Sequence, residues 1–386
     1  MANLFEHWSA TKEALTDGLT GNKKIVLESV LENTKQQMLK ESATSGSTMA
    51  GNVATLNKVI LPVIRRVMPT VIANELVGVQ PMTGPVGQIH TLRVRYAENF
   101  DTARAGEEAL SPFKIAVGYS GNETTDKAGA TSAFEGNPGK KLNIQIVKQT
   151  VEAKTRKLSA RWTFEAAQDA QAMHGIDVEA EIMAALAQEI TTEIDQEILA
   201  SLSSLAGNAK YTFDQGAVSG TATFVGDEHA ALAVLINKAA NDIAALTRRG
   251  AGNWIVVSPS MLTVLQSATT SAFARTTEGP FEAPTNTKFV GTLNNTMKVY
   301  VNQYATNDDL LVGYKGSSES DAAAFYCPYI PLMSTGTVLD PDTLEPVVGF
   351  MTRYGYVELS SSISSLGNAA DYLNKIAVTT ANLSFS

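Results

Sequence analysis

"DVEAEIMAALAQEITTEIDQEILASLSSLAG", residues 177–207, carries the strongest helical signal in the chain. Ile182, Leu186, Ile190, Ile194, Ile198 and Leu202 recur four apart, the spacing of one helix face. Asp177 is placed to cap the N-terminus. A helix over 178–205 runs roughly 40 Å. A strict four-residue step drifts around a straight helix, so the apolar stripe winds slowly. Glu181, Glu189, Glu193, Asp195 and Glu197 fall on the remaining faces and are expected to be wet.

Just upstream, "TFEAAQDAQAMHG" reads as a shorter helix, with Gly175 at its C′ position and His174 beside the last carbonyls. Before it, "KLNIQIVKQTVEAKTRKL", residues 141–158, alternates as one strand. An earlier run, "VGVQPMTGPVGQIHTLRVRY" (77–96), alternates too. It places His90, Leu92, Val94 and Tyr96 on one face and Ile89, Thr91, Arg93 and Arg95 on the other. Between the runs, residues 97–139 are polar and scattered with Gly106, Gly118, Gly121, Gly129, Gly136 and Gly139. Two strands around a loose tip make an extended hairpin. Such a hairpin is marginal alone in water, so a neighbour is expected to support it. Gly78, Pro81, Gly84, Pro85 and Gly87 read as corners that fix the exit angle of this strap.

Nearer the start, residues 22–42 show a helical face of Leu27, Val30, Leu31, Thr34 and Met38, with Asn22 as N-cap. "SATSGSTMAGN" (42–52) reads as a tether. Pro62 and Pro69 break the next stretch into short helical pieces. After residue 227 helices and strands interleave. A helix is capped by Asp227 and ended by Gly250, with Arg248 and Arg249 at its negative end; "NWIVVS" is a strand, and "PSMLTVLQS" is a helix opened by Pro259. "NNTMKVYVNQ", "DLLVGYKG", "AAAFYCPYIPL" and "VVGFMTRYGYVEL" are further strands, which gives an α/β or α+β body.

The 386 residues, 44% hydrophobic, suffice for two or three domain-sized bodies. Thirty basic against 39 acidic residues give a net charge of −9, a poor footprint for gripping nucleic acid. Cys327 is the single cysteine, so no internal disulfide forms and folding in a reducing compartment is the simple inference. The N-terminus lacks the basic and apolar regions of a secretory signal, and no apolar run reads as a bilayer span.

The search for chemistry is thin. Neither phosphate-cradling glycine motif occurs, and "GYSGN" misses the spacing of a nucleophile elbow. His7, His90, His174 and His229 have no metal-ligand spacing. No cofactor is expected. "LDPDTLEP" (339–346) reads as a turn with Asx hydrogen bonds rather than a calcium loop. Cys327 reads as a small buried hydrophobe. Arg65, Arg66, Arg93 and Arg95 are either a solvated face or intersubunit ion-pair donors to acidic faces such as the long helix.

Together, "LPVIRRVMP…GVQPMTGPVGQIHTLRVRY", "HGIDVEAEI", "GNWIVVSP", "VGYKG", "DAAAFYCPYIPL" and "GFMTRYG" resemble the signature stretches of the major capsid proteins of T-even-like tailed bacteriophages, in order from about 56 to 357. The resemblance implies the α+β capsid fold shared by tailed phages and herpesviruses. In it, 1–52 would be an N-terminal arm and 85–158 the extended loop. Residues 53–84, 159–224 and 336–386 would form a peripheral domain on a long spine helix, and 225–335 an axial domain. It implies a subunit that self-assembles into hexamers and pentamers of an icosahedral head around double-stranded DNA, without sequence-specific binding and without a membrane. Portal, scaffold and vertex or decoration proteins would be its partners. The shell would be part of the virion and assemble in the bacterial cytoplasm. Contacts between copies would fall on the extended loop and its base: Arg65, Arg66, Arg93, Arg95 and the corners Gly78, Pro81, Gly84, Pro85 and Gly87. Relatives are trimmed after glutamate in an L-x-E context, which points to Glu6 in "LFE". The domain inserted in the T-even extended loop has no room in this chain. Two rival classes remain at this stage: a tail or sheath protein, and a hydrolase built on Ser258.

Overall fold

The computed structural model describes residues 8–16, 21, 23–33, 71–99, 139–174, 177–218, 225–247, 249–268, 273–275, 288–319, 321–334, 336–343, 345–359 and 368–380, with scattered positions between 105 and 136. Helices α1 (Trp8–Thr16) and α2 (23–33) come first, followed by strands β1 (Gly78–Val79), β2 (Val86–Tyr96), β3 (Leu142–Glu152) and β4 (Lys154–Arg161). Then come α3 (Phe164–His174), α4 (Val178–Ala206), β5 (Tyr211–Phe213), α5 (Val225–Thr247), β6 (Trp254–Val257) and α6 (Pro259–Ser267). The remaining strands are β7 (Phe273–Arg275), β8 (Lys288–Leu293), β9 (Met297–Val301), β10 (Leu310–Gly313), β11 (Ala324–Ser334), β12 (Val338–Leu339), β13 (Pro346–Glu358) and β14 (Leu373–Val378). Among the described residues, one sheet runs β1-β11-β13-β12 with β4 also on β13, a second runs β5-β14-β10-β6-β9-β8-β7, and β2-β3 pair only with each other. Mixed sheets with separate helices make this an α+β fold.

The long helix α4 forms as its sequence dictates. The Asp177 carboxylate accepts the N–H groups of Glu179 and Ala180, and Gly207 follows the last turn at φ 66°. Ile190, Ile194, Ile198 and Leu202 are at most 2% exposed and anchor the main core against β11 and β13. Glu181, Glu189 and Glu193 are exposed as expected. Asp195 is not: it is fully buried. A second layer explains this, because residues 71–77 cover that side of the helix. The Ile72 N–H donates to Asp195 Oδ1 at 2.9 Å, while Oδ2 has no protein partner. Burial chiefly, against that one bond, pushes the carboxyl up to about 7.

Helix α2 belongs to the same core, with Val26, Leu27, Val30 and Leu31 at most 3% exposed. Asn33, within α2, donates to Met82 O (2.8 Å) and Tyr329 O (3.1 Å). Asn22, Thr34, Met38, the 42–52 tether, Pro62 and Pro69 lie outside the described residues.

The second core lies between the seven-stranded sheet and α5 and α6, around Leu232, Ile236, Ile243, Ile255, Val299 and Val312. Helix α5 starts at Val225, so Asp227 sits within its first turn and does not cap it. Gly250 is not a left-handed stop either: a side chain there would collide with the Tyr314 ring. Residues 228–247 are apolar enough on average to cross a bilayer, contrary to the expectation from sequence. Here Leu232, Ile236, Ala239, Ala240 and Ile243 spend that apolarity on the core. Asn294 and Asn295 turn β8 into β9 with both φ positive (51° and 59°), and Thr296 N–H closes on Leu293 O at 3.2 Å. Asparagine tolerates that conformation better than most residues.

The run at 141–158 is two strands, not one. β3 pairs with β2 as far as Glu152; β4 starts at Lys154 and pairs with β13. The change of partner falls at Ala153, whose N–H bonds Pro85 O at 2.9 Å. Alternation continues across the switch, so the residue pattern alone does not reveal it.

Candidate assembly surface

The base of the hairpin is fixed by close packing. Gly78 lies in β1 rather than at a corner, and a side chain there would collide with Glu319 O and the Phe325 ring. Gln80 N–H and Met82 N–H bond Tyr326 O and Pro328 O (3.0 Å each), so the segment through Pro81 runs along β11. Gly84 and Pro85 make the turn into β2, and Gly87 stands opposite Val151. Val151 is 2% exposed and fills the space left by the missing side chain of Gly355. Gln149 Nε2 donates to Glu358 O at 3.0 Å.

Eleven residue pairs extend from Val86↔Glu152 to Tyr96↔Leu142. Residues directly opposed share a face. The face with Val151, Ile89 and Gln149 starts on the body; further out it holds the pairs Arg93↔Gln145 and Arg95↔Asn143, with Arg95 half-buried. The opposite face carries the surprise. Leu142, Ile144 and Ile146 are 52%, 68% and 61% exposed in one row, ending at exposed Lys148. At the tip, Tyr96 and Tyr119 meet at 4.7 Å with Ala109 beside them, and Tyr119 OH donates to Lys141 O at 2.7 Å. The sequence draws notice to the arginine face; the structure leaves an apolar row open on the other. Its alternation was legible at 142, 144 and 146, but a period of two does not say which face is covered. Arg65, Arg66 and Glu6 lie outside the described residues.

Two polar junctions hold the bodies around this base. Glu75 accepts Lys23 (2.6 Å), Lys298 (3.0 Å) and Tyr300 OH (3.3 Å), joining α2, the segment before β1, and β9. Burial alone would raise its carboxyl, but the two lysines outweigh it and hold it at about 2. Arg156 on β4 donates to Tyr354 OH (2.6 Å) and Glu193 (2.6 Å) and also to Glu197, which accepts Tyr354 OH as well. This fastens β4 and β13 to α4.

The residues with chemical potential are engaged structurally. Ser258 Oγ caps α6 by accepting Met261 N–H and donates to Asp308 at 2.6 Å. His229 Nδ1 lies 2.6 Å from Ser267 Oγ. Asp340 accepts Asp342 N–H, the expected Asx turn. Cys327 is buried, and burial pushes its thiol up to about 12. Among the described residues no group of three or more His, Cys, Asp or Glu is placed to hold a metal.

A protruding paired strand on an α+β body, with an open apolar row, offers a surface for contact. Comparison with known proteins gives its family. The family described as major capsid protein Gp23 matches residues 53–141 and 115–378. The major capsid protein of Vibrio phage KVP40 is 32% identical over 83% of this chain and 80% of its own length; that of Enterobacteria phage T4 is 30% identical over 79% and 76%. The chain belongs to the Gp23 family of tailed-phage major capsid proteins. Looser likenesses are found to solved structures from Microbacterium phage Oxtober96 (12% identity, TM-score 0.47, 80% of this chain and 90% of that one) and to the capsid of cyanophage P-SCSP1u (12%, 0.45, 80% and 88%).

Proposed function

We propose that copies of this chain assemble into hexamers and pentamers of a closed icosahedral head around double-stranded DNA, with the β2–β3 hairpin strapping each copy to its neighbour. The observation that carries this is the hairpin itself: among the described residues its two strands pair with no third strand and keep an aliphatic row in water. Closed symmetric assembly makes modest contacts of this kind cooperative. In this reading 1–52 is the arm, 85–158 the extended loop, 53–84, 159–224 and 336–386 the peripheral domain, and 225–335 the axial domain. β4, within 154–161, joins the body sheet and roots the loop there. Arg65, Arg66, Arg93 and Arg95 add ion pairs to sister copies.

The net charge of −9 supports a shell that encloses DNA without gripping it. Portal, scaffold and decoration proteins would complete the particle, and trimming after Glu6 would accompany its maturation in the host cytoplasm. The subunit's role is structural, not catalytic. Electron microscopy of purified, concentrated protein tests the reading. Icosahedral or open shells are expected. Tubes would favour a tail or sheath protein, and dispersed particles would overturn the proposal. Arg93→Glu combined with Arg95→Glu should lower shell yield while the far-ultraviolet spectrum stays unchanged.

A further inference from the structure

Asp195 marks the point where the segment leading into the hairpin crosses α4. It is fully buried, its Oδ1 takes the Ile72 N–H, and its Oδ2 has no protein partner. Residues one turn away on α4 do not relieve it. Thr191 gives its hydroxyl to Ala187 O at 2.8 Å, and Ile198 and Leu199 are aliphatic. The titratable and charged groups of the surrounding elements are engaged elsewhere or stay neutral. On β11 the Tyr326 phenol feels the Asp195 charge, and burial pushes the Cys327 thiol up to about 12. On β13 Tyr354 OH donates to Glu197, and on β4 Arg156 is held by Glu193 and Glu197. Lys23 and Lys298 are taken up by Glu75, and Lys315 Nζ donates to Asn74 O at 2.8 Å. A buried carboxyl with one donor and no cation is stable only while it is neutral.

The covering segment is fastened differently at its two ends. Downstream, Glu75 and Asn74 O bind the three lysines, and Gly78 and Val79 continue directly into β1 on β11. Upstream, Val71, Ile72 and Ala73 are at most 3% exposed. The carbonyls of Val71 and Ile72 accept N–H groups of the segment itself, those of Asn74 (3.2 Å) and Glu75 (2.9 Å). The Ile72–Asp195 bond is what crosses from this end to α4.

We propose that residues 71–77 are a latch on α4, held shut at their upstream end by the neutral Asp195 carboxyl, and that loss of its proton opens the latch and slackens the root of the hairpin. Opening admits water to the carboxylate, which the closed state denies it. The closed latch therefore binds the proton more tightly than the open one, so opening grows as pH rises towards 7 and levels off above it. The latch belongs to the folded subunit and stands apart from the shell-forming reading.

Hydrogen exchange of the full chain, read by mass spectrometry at pH 6 and pH 8 and corrected for the intrinsic amide rate, tests it. Protection of the 71–77 amides should fall roughly tenfold between the two, while β6 and β9 in the second core hold theirs. Asp195→Asn keeps an acceptor for the Ile72 N–H and has no proton to lose, so it should abolish the difference. Equal protection of 71–77 at both pH values in the unmodified chain would overturn the latch, whether or not the variant folds. So would a loss shared equally by β6 and β9, which would signal global unfolding, or a pH dependence that survives in Asp195→Asn.

Discussion

The hairpin and the main body are written in the same alphabet of alternating aliphatic strands, yet only one of them closes on itself. In β13 every second residue from Pro346 to Tyr354 is buried, because α4 and α2 supply a matching apolar surface. In β3 Leu142, Ile144 and Ile146 alternate as cleanly and face water. The contrast teaches that strand pattern encodes a demand for a partner without saying whether it is in the same molecule. For the hairpin, the proposed shell assigns that demand to another copy.

The comparison breaks most easily in the body. Trp254, 2% exposed, is packed against Gly313, where any side chain would strike its ring. Trp254→Ala should cost about 3–5 kcal/mol, measured by urea unfolding. Next is Asp195. Its folded carboxyl lies at about 7 against an ordinary 3.8, so the folded chain holds the proton more tightly than the unfolded one. That contribution is fully present below about pH 4 and is lost as pH rises through 7, on the order of 4 kcal/mol in all. Melting temperature against pH should fall across this window, and Asp195→Asn should flatten the fall. Asp177→Ala removes the α4 cap and should cost about 1 kcal/mol in the same urea experiment. The smallest effect belongs to the hairpin: Ile144→Asn should leave isolated-chain stability within about 0.5 kcal/mol. A loss comparable to that of Trp254→Ala would mean that the row is covered by its own chain, and the contrast would disappear.

Much of the body was legible beforehand. The four-residue spacing and Asp177 place α4 at 178–205 against the observed Val178–Ala206, and the 347–359 strand matches Pro346–Glu358. What escaped depends on contacts distant in sequence. Nothing local marks Asp195 as buried, since the segment that covers it is over a hundred residues away. Ala153 carries no signal for a change of partner, because pleating continues while the neighbouring strand changes. Gly78 and Gly250 looked like punctuation but are clearances for Phe325 and Tyr314. The candidate surface is half legible: alternation gives the hairpin and the arginines mark its charged face, while the open row emerges only from exposure.

The run of β4 along β13 has a mechanical consequence. Tension applied outward through the hairpin enters at Gln149 and Glu358 and is directed along these strands, across eight successive residue pairs from Tyr354↔Lys154 to Val347↔Arg161. Backbone bonds between antiparallel strands lie perpendicular to that pull. They therefore resist sliding together instead of peeling one at a time, and a strap rooted in this way transmits force into its subunit without unravelling it.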